Sequence, residues 1–352
     1  MQEYDIKSMT LPEIQEIVGQ LGQPSFRAKQ IYRWLQARGA MDYSEMSDLS
    51  KELRTQLSEK FPIRYCEIEL KQVSKIDGTV KYLFRLSDGN FIESVLMKYK
   101  YGYTLCISSQ VGCKMGCVFC ASTKSGCVRS LYPSEMIGQI HAAQRDMNIR
   151  VSHVVMMGMG EPLDNFDNAM RFLDLVGDNE GLNISLRNIS LSTCGLVPKI
   201  YELMERHLQL TLSVSLHAPN NEMRSKVMPV NKKYPIEDLM KACREYTKKT
   251  SRRISFEYAM IRDVNDSDQC AYELASLLKG MLCHVNLIPA NEIVESKHKR
   301  STAERLDRFI MILNSKGINA TVRRSLGSDI DASCGQLRSR HNRENSLKEG
   351  NQ

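Results

Sequence analysis

Apolar residues in the first seventy positions recur at helical spacing. Leu11 to Val18 reads as a short amphipathic helix with Pro12 in its first turn, and Phe26 to Arg38 as a second. Ser47 to Phe61 reads as a third, with Leu49, Leu53 and Leu57 on one face and Pro62 ending it. From Val73 the period drops to two. Thr79 to Leu86 and Phe91 to Met97 flank Asp88-Gly89, the signature of an antiparallel hairpin, and Tyr103 to Ser108 follows as a third strand. Beyond it the apolar runs His153 to Met157, Ile189 to Ser192, Leu210 to Leu216, Ile254 to Met260 and His284 to Ile288 each precede a helix-like stretch. That alternation is the βαβ rhythm of a parallel sheet. The pattern therefore predicts an α/β chain with four parts: a helical domain over 1–72, a β-hairpin extension over 73–103, six strand–helix units over 104–337 that point to a TIM-like barrel or part of one, and a polar tail over 338–352. Polar residues at the ends of the barrel strands would line its C-terminal mouth.

Composition narrows the class without naming it. With 352 residues, 42% hydrophobic and 25% charged, the chain is neither disordered nor fibrous and can fill a large core. Its net charge of +7 suits anionic partners such as nucleic acids or phosphorylated metabolites. No apolar run is long enough to cross a bilayer, so no membrane role is expected. The start, Met1-Gln2-Glu3-Tyr4-Asp5, lacks the basic head and apolar core of a secretory signal, so a cytoplasmic chain with reduced thiols is expected. The basic residues Arg27, Lys29, Arg33 and Arg38 of the helical domain, and Arg338, Arg340 and Arg343 of the tail, are candidates for facing RNA; a solvated charged face is the plainer reading.

Eleven cysteines are spread along the chain, and three fall within eight residues as Cys113-Lys114-Met115-Gly116-Cys117-Val118-Phe119-Cys120. Three thiolates so close can converge on one metal centre. A tetrahedral zinc site would need a fourth ligand, for which Cys127, His141 or a residue distant in sequence are candidates. A [4Fe–4S] cluster held by three cysteines leaves one iron open for a cofactor and is the favoured reading of the spacing. Gly158-Met159-Gly160-Glu161-Pro162 follows an apolar run; its glycines permit close backbone approach and Glu161 offers an acceptor for an ammonium group, although an ordinary βα turn explains it equally well. Cys334 lies in a turn-like setting, Cys106 reads as a core cysteine, and Glu93 as the outward residue of an alternating strand.

Taken in order, these motifs resemble one family. The segments from Gly112 to Thr123, Gly158 to Pro162, Leu191 to Thr193, Ser215 to Pro219, Asn286 to Pro289 and Asp329 to Leu337 look like the RlmN/Cfr family of radical S-adenosylmethionine (SAM) RNA methyltransferases. The resemblance implies a partial (β/α)6 TIM-like radical SAM barrel with Cys113, Cys117 and Cys120 holding a [4Fe–4S] cluster, and Gly160, Glu161, Ser192, Ser215, Leu216, His217 and Asn291 contacting SAM. It implies that Cys334 carries the methyl group as S-methylcysteine, that Cys106 resolves the covalent intermediate through a transient disulfide with Cys334, and that Glu93 accepts a proton. It also implies methylation at C2 of an adenine in the peptidyl-transferase region of 23S rRNA, with tRNA beside the anticodon as a second substrate and an electron donor for the cluster and disulfide. Two alternatives stay open: a Cfr-type enzyme that methylates C8 and confers antibiotic resistance, and a zinc-stabilised RNA-binding protein without activity. The polar insert Glu292 to Ser301 departs from the family wording after Asn291.

Overall fold

The structure is a computed structural model that describes residues 5–289, 299–330, 337, 338 and 341. Helix α1 (Leu11–Gln20) starts at Thr10, where the Glu13 carboxylate accepts the Thr10 N–H and hydroxyl, a capping box that satisfies donors at the helix start. α2 (Phe26–Tyr32) continues into one wider turn to Ala37, and α3 (Lys51–Lys60) is capped by the Ser50 hydroxyl accepting the Leu53 N–H. These helices bury Ile14, Val18, Ile31, Leu35, Leu53 and Leu57 in an apolar core shared with the barrel.

Strand β1 (Glu67–Val73) begins before the expected change of period at Val73, with Ile68 and Leu70 separated by a bulge that blurs the alternation. It pairs antiparallel with β2 (Val80–Arg85), which pairs with β3 (Phe91–Tyr99) across the Asp88-Gly89 turn. β3 pairs antiparallel with β4 (Gly102–Cys106), the first barrel strand. A short ribbon, β5 (Gln110–Gly112) against β6 (Cys127–Ser130), then brackets the cysteine loop and was not expected from the sequence.

From α4 (Pro133–Met147) onward helices and strands alternate. They run β7 (Val151–Met156), α5 (Phe166–Gly177), β8 (Ile189–Thr193), α6 (Val197–Glu205) and β9 (Thr211–Ser215), then α7 (Asn221–Val227) and α8 (Ile236–Thr250). The series closes with β10 (Ile254–Met260), α9 (Asp268–Leu278), β11 (Cys283–Pro289), α10 (Ala303–Ser315) and β12 (Ala320–Val322). The sheet order is β1-β2-β3-β4-β7-β8-β9-β10-β11-β12, so the six expected parallel strands gain a seventh and the barrel stays open between β1 and β12. This is the α/β partial barrel of the sequence reading. Among the described residues no helix is long and apolar enough to cross a membrane.

The two faces of the parallel strands differ. Residues facing the helices, such as Leu191, Leu212, Val214, Phe256, Tyr258, Val285 and Leu287, are fully buried hydrophobics. On the other face the alternation brings Ser190, Ser192, Ser213, Ser215, Glu257 and Asn286 into register across β8 to β11. A closed barrel of this kind fills its interior with branched apolar side chains. A serine-rich interior instead suits a polar ligand.

Candidate functional site

The cysteine loop starts directly after β5 and rests on α7. The Cys113 N–H donates to the Gly126 carbonyl at 2.9 Å and the Val118 N–H to the Val227 carbonyl at 3.1 Å. Cys117 shares a small apolar cluster with Cys194, Val227 and Met228, flanked by Met115, Phe119 and Cys120. Burial pushes the Cys113 and Cys117 thiols up to about 12, so both are protonated until a metal displaces the protons. Cys127 lies across the ribbon opposite Gly112, while His141 is far from this loop in role: its Nε2 bonds the Gln36 carbonyl at 2.9 Å and helps dock the helical domain.

The loop after β7 fits against the end of β4 through glycines. A Cβ at Gly158 would stand 2.6 Å from the Ile107 carbonyl oxygen. Gly160 has φ +102°, and a Cβ there would meet Gln110 at 2.6 Å. These contacts account for both glycines, because the backbone there is pressed against the chain around Ile107 and Gln110. Glu161 is buried, its carboxylate accepting the Leu163 N–H at 3.0 Å and the Cys194 N–H at 2.7 Å; burial raises its pKa and these donors oppose the rise.

Ser192 lies near the end of β8 and Ser215 ends β9, and both are half-buried on the inner face. Leu216 is fully buried. His217 has φ 57°; its Nδ1 accepts the Ala259 N–H at 2.9 Å, which places any ring proton on Nε2. Its ring meets Phe119 edge to face with centroids 4.7 Å apart, joining the cysteine loop to the end of β9. Asn291 and Cys334 lie outside the described residues.

Glu93 is not an outward residue. It is 1% exposed and forms an ion pair with the fully buried Lys81, 2.5 Å from Nζ to Oε2. Its other oxygen accepts the main-chain N–H of Arg338 at 2.6 Å, four residues beyond Cys334 in the chain. Arg338, a candidate for facing RNA or solvent, is buried here, and Arg340 and Arg343 lie outside the described residues. Val95 pairs with Cys106, and Glu93 stands two residues along β3 on the same face. Cys106 is 5% exposed in an apolar group with Val95, Met97, Tyr99, Val155, Met157 and Leu326. The β1–β2 turn reaches the chain ahead of Cys334: Ser74 and the Lys75 N–H donate to Asp329, and Asp77 accepts the Gly327 N–H at 2.8 Å. A polar network joins the other elements. Gln139 accepts from Ser94 and from the Ser108 N–H, and the Ser108 hydroxyl donates to the Glu93 carbonyl while accepting the Met159 N–H.

Sequence reasoning missed Lys81, Ser108, Gln139 and Arg224. Lys81 sits in a strand whose other residues up to Phe84 are also buried, so no alternation marks it. Of the helical-domain cations, Lys29 and Arg33 pair with Glu180, and Arg38 covers Trp34.

Residues 107–275 match the Radical SAM superfamily, and residues 4–63 match the Ribosomal RNA large subunit methyltransferase N-terminal domain. A protein of Thermoanaerobacter sp. (strain X514) named "Probable dual-specificity RNA methyltransferase RlmN" is 50% identical over 97% of this chain and 99% of its own length. One of the same name from Alkaliphilus metalliredigens (strain QYMF) is 52% identical over 97% of each. The chain belongs to the RlmN family of the radical SAM superfamily. A radical SAM methyltransferase from Sphaerobacter thermophilus of known crystal structure is 45% identical and superposes with a TM-score of 0.90, covering 94% of this chain and 98% of that one. A zinc-stabilised RNA-binding module without activity is therefore set aside.

Radical SAM proteins use a [4Fe–4S] cluster and SAM. Among the described residues no three His, Cys, Asp or Glu side chains stand in metal-holding geometry as they are. The donor chemistry fits nonetheless: Cys113, Cys117 and Cys120 share one loop, and each of the first two lies in the electrostatic field of Cys120. In this RlmN-family chain they are the residues that would hold the cluster, with the serine-rich mouth beside them.

The docking of the helical domain gives a pH test. Burial and then Lys7 depress His141 from 6.5 to about 3. The unfolded chain therefore binds a proton below pH 6.5 that the fold refuses until about 3. Stability is full above 6.5 and is lost as pH falls from there, by about 1.4 kcal/mol per pH unit for this group. His141→Gln is expected to flatten that part of the slope between about pH 6.5 and 5, read by urea unfolding at each pH.

Proposed function

We propose that this chain is the radical SAM RNA methyltransferase that adds a methyl group to C2 of an adenine in 23S rRNA, and to tRNA beside the anticodon. The observation that carries this reading is the pairing of Val95 with Cys106, which sets the expected resolving cysteine and Glu93 on one face of adjoining strands. The cofactor segments end the neighbouring strands of the same sheet.

When bound, the reduced cluster supplies the electron that turns SAM into a hydrogen-abstracting radical. The chain's own residues do the rest. Cys113, Cys117 and Cys120 hold the cluster, and Gly160, Glu161, Ser192, Ser215, Leu216, His217 and Asn291 hold SAM. The Cys334 thiolate takes the methyl group of one SAM by displacement, releasing S-adenosylhomocysteine, and presents it to the adenine, which must be unstacked to enter. Once the S-methyl group has given one hydrogen atom to the SAM-derived radical, its methylene carbon bonds to C2 of the ring; the adduct then gives up one electron to the bound cluster, and Glu93 accepts the ring proton. The Cys106 thiolate then attacks the Cys334 sulfur. The S–S bond forms as the S–C bond breaks, the released methylene carbon takes up a proton to become the methyl group, and an external electron donor reduces the disulfide before another turnover. A cytoplasmic location follows from this reading.

Anaerobically reconstituted protein, incubated with SAM, a reductant and unmodified large-subunit RNA or tRNA, is expected to yield 2-methyladenosine on mass spectrometry of the digested RNA. Only 8-methyladenosine would move the chain to the Cfr type. Product from ribosomal RNA alone would remove tRNA from the substrates.

A further inference from the structure

Arg224 is the largest of the fully buried side chains, yet it lies in a segment, Asn221 to Val227, whose composition reads as a surface helix. Among the described residues its guanidinium donates to neutral oxygens: the Cys194 carbonyl at 2.7 Å, Asn231 Oδ1 at 2.9 Å, and the Ser215 and Leu216 carbonyls at 3.1 and 3.2 Å. Among the described residues no carboxylate forms an ion pair with it. Burial lowers its pKa only to about 10, so it keeps its charge at neutral pH. A buried cation without a counter-charge costs several kcal/mol. Its electrostatic neighbours are the sulfurs of Cys194, Cys117 and Cys243.

Of these, Cys117 belongs to the loop that rests on α7, where the Val118 N–H bonds the Val227 carbonyl and Cys117 packs on Val227 and Met228. A metal-bound cysteine is a thiolate outright. In this apolar setting water and salt screen little of the attraction between that thiolate and a cation. Each electron added to the centre deepens its negative charge. The same guanidinium clasps the end of β8, through Cys194, to the end of β9, through Ser215 and Leu216. The N–H of Cys194 is in turn held by Glu161.

We propose that Arg224 is a positioning residue that serves as the buried counter-charge of the Cys113, Cys117 and Cys120 centre and favours its reduced state. The proposal rests on the assignment of Cys117 as a ligand. It explains why a charge is buried where Gln or Asn could satisfy several of the same carbonyls, and it links the cluster loop to the strand ends that carry the SAM contacts.

The test uses the full chain reconstituted anaerobically, with Arg224→Met, Arg224→Gln and Arg224→Lys. Iron and sulfide content, the spectrum of the reduced centre, its midpoint potential and the melting temperature of the metal-free protein are measured. The midpoint potential is expected to shift to more negative values in the Met and Gln variants, and to return towards wild type in the Lys variant. Gln retains hydrogen-bonding groups without the charge, so a shift in both Met and Gln but not Lys reads charge rather than contact. A wild-type potential in the Gln variant with full iron and sulfide would overturn the proposal, including where the Met variant does not fold. A wild-type protein that binds no iron and sulfide would overturn the ligand assignment beneath it.

Discussion

Changing Cys106 to Ala is expected to leave RNA covalently attached to the protein, seen as a slow-migrating band that survives denaturation and is removed by ribonuclease. The expectation follows from where Cys106 lies. It is buried near the end of β4, packed by Val95, Met97, Val155 and Met157, and shares its face with Glu93. A thiol in that place would break the S–C bond of the adduct; an alanine methyl cannot, while everything needed to form the adduct remains. The effect should be close to complete within one turnover. Two controls separate it from general damage. Cys334→Ala should give neither adduct nor product while still assembling the cluster, and Cys117→Ala should lose iron and give no adduct. Clean multiple turnover by Cys106→Ala would remove the resolving role, and an adduct in Cys334→Ala would remove the carrier role.

The second large effect is on stability. Lys81 and Glu93 are 0% and 1% exposed and pair across β2 and β3. Glu93→Gln keeps the shape and an acceptor for the Arg338 N–H but withdraws the carboxylate from a buried ammonium. Breaking one side of such a pair costs about 3–5 kcal/mol. The variant is expected to unfold at markedly lower denaturant concentration, and the double change Lys81→Met with Glu93→Gln to recover much of the loss. Recovery of the fold without recovery of methylation would isolate the proton-accepting role from the structural one. A loss under about 1 kcal/mol in the single variant would mean that the Glu93 carboxylate is not what makes burial of Lys81 tolerable.

The elements and their order were legible from periodicity. The hairpin across Asp88-Gly89 and the parallel strands β7 to β11 fall within a few residues of where alternation and apolar runs put them. What escaped was short or irregular: β12 has three residues, the β5–β6 ribbon three and four, and β1 carries a bulge. Such pieces hold too few residues for a period to show, and pairing partners far along the chain decide them.

The candidate site divides in the same way. The cysteine spacing, the Gly158 to Pro162 turn and the ordered motifs belong to the sequence alone, because a metal loop and a tight backbone approach demand particular residue types at fixed local offsets. The burial of Glu93 against Lys81, the clasp of Arg224 on two strand ends and the facing of β3 towards Cys106 are properties of the folded chain. A charged residue in a sequence looks the same whether solvent or a partner twelve residues away will meet it. Only the register of β2 with β3, and the docking of α7 under the cysteine loop, remove those charges from water and give them a task.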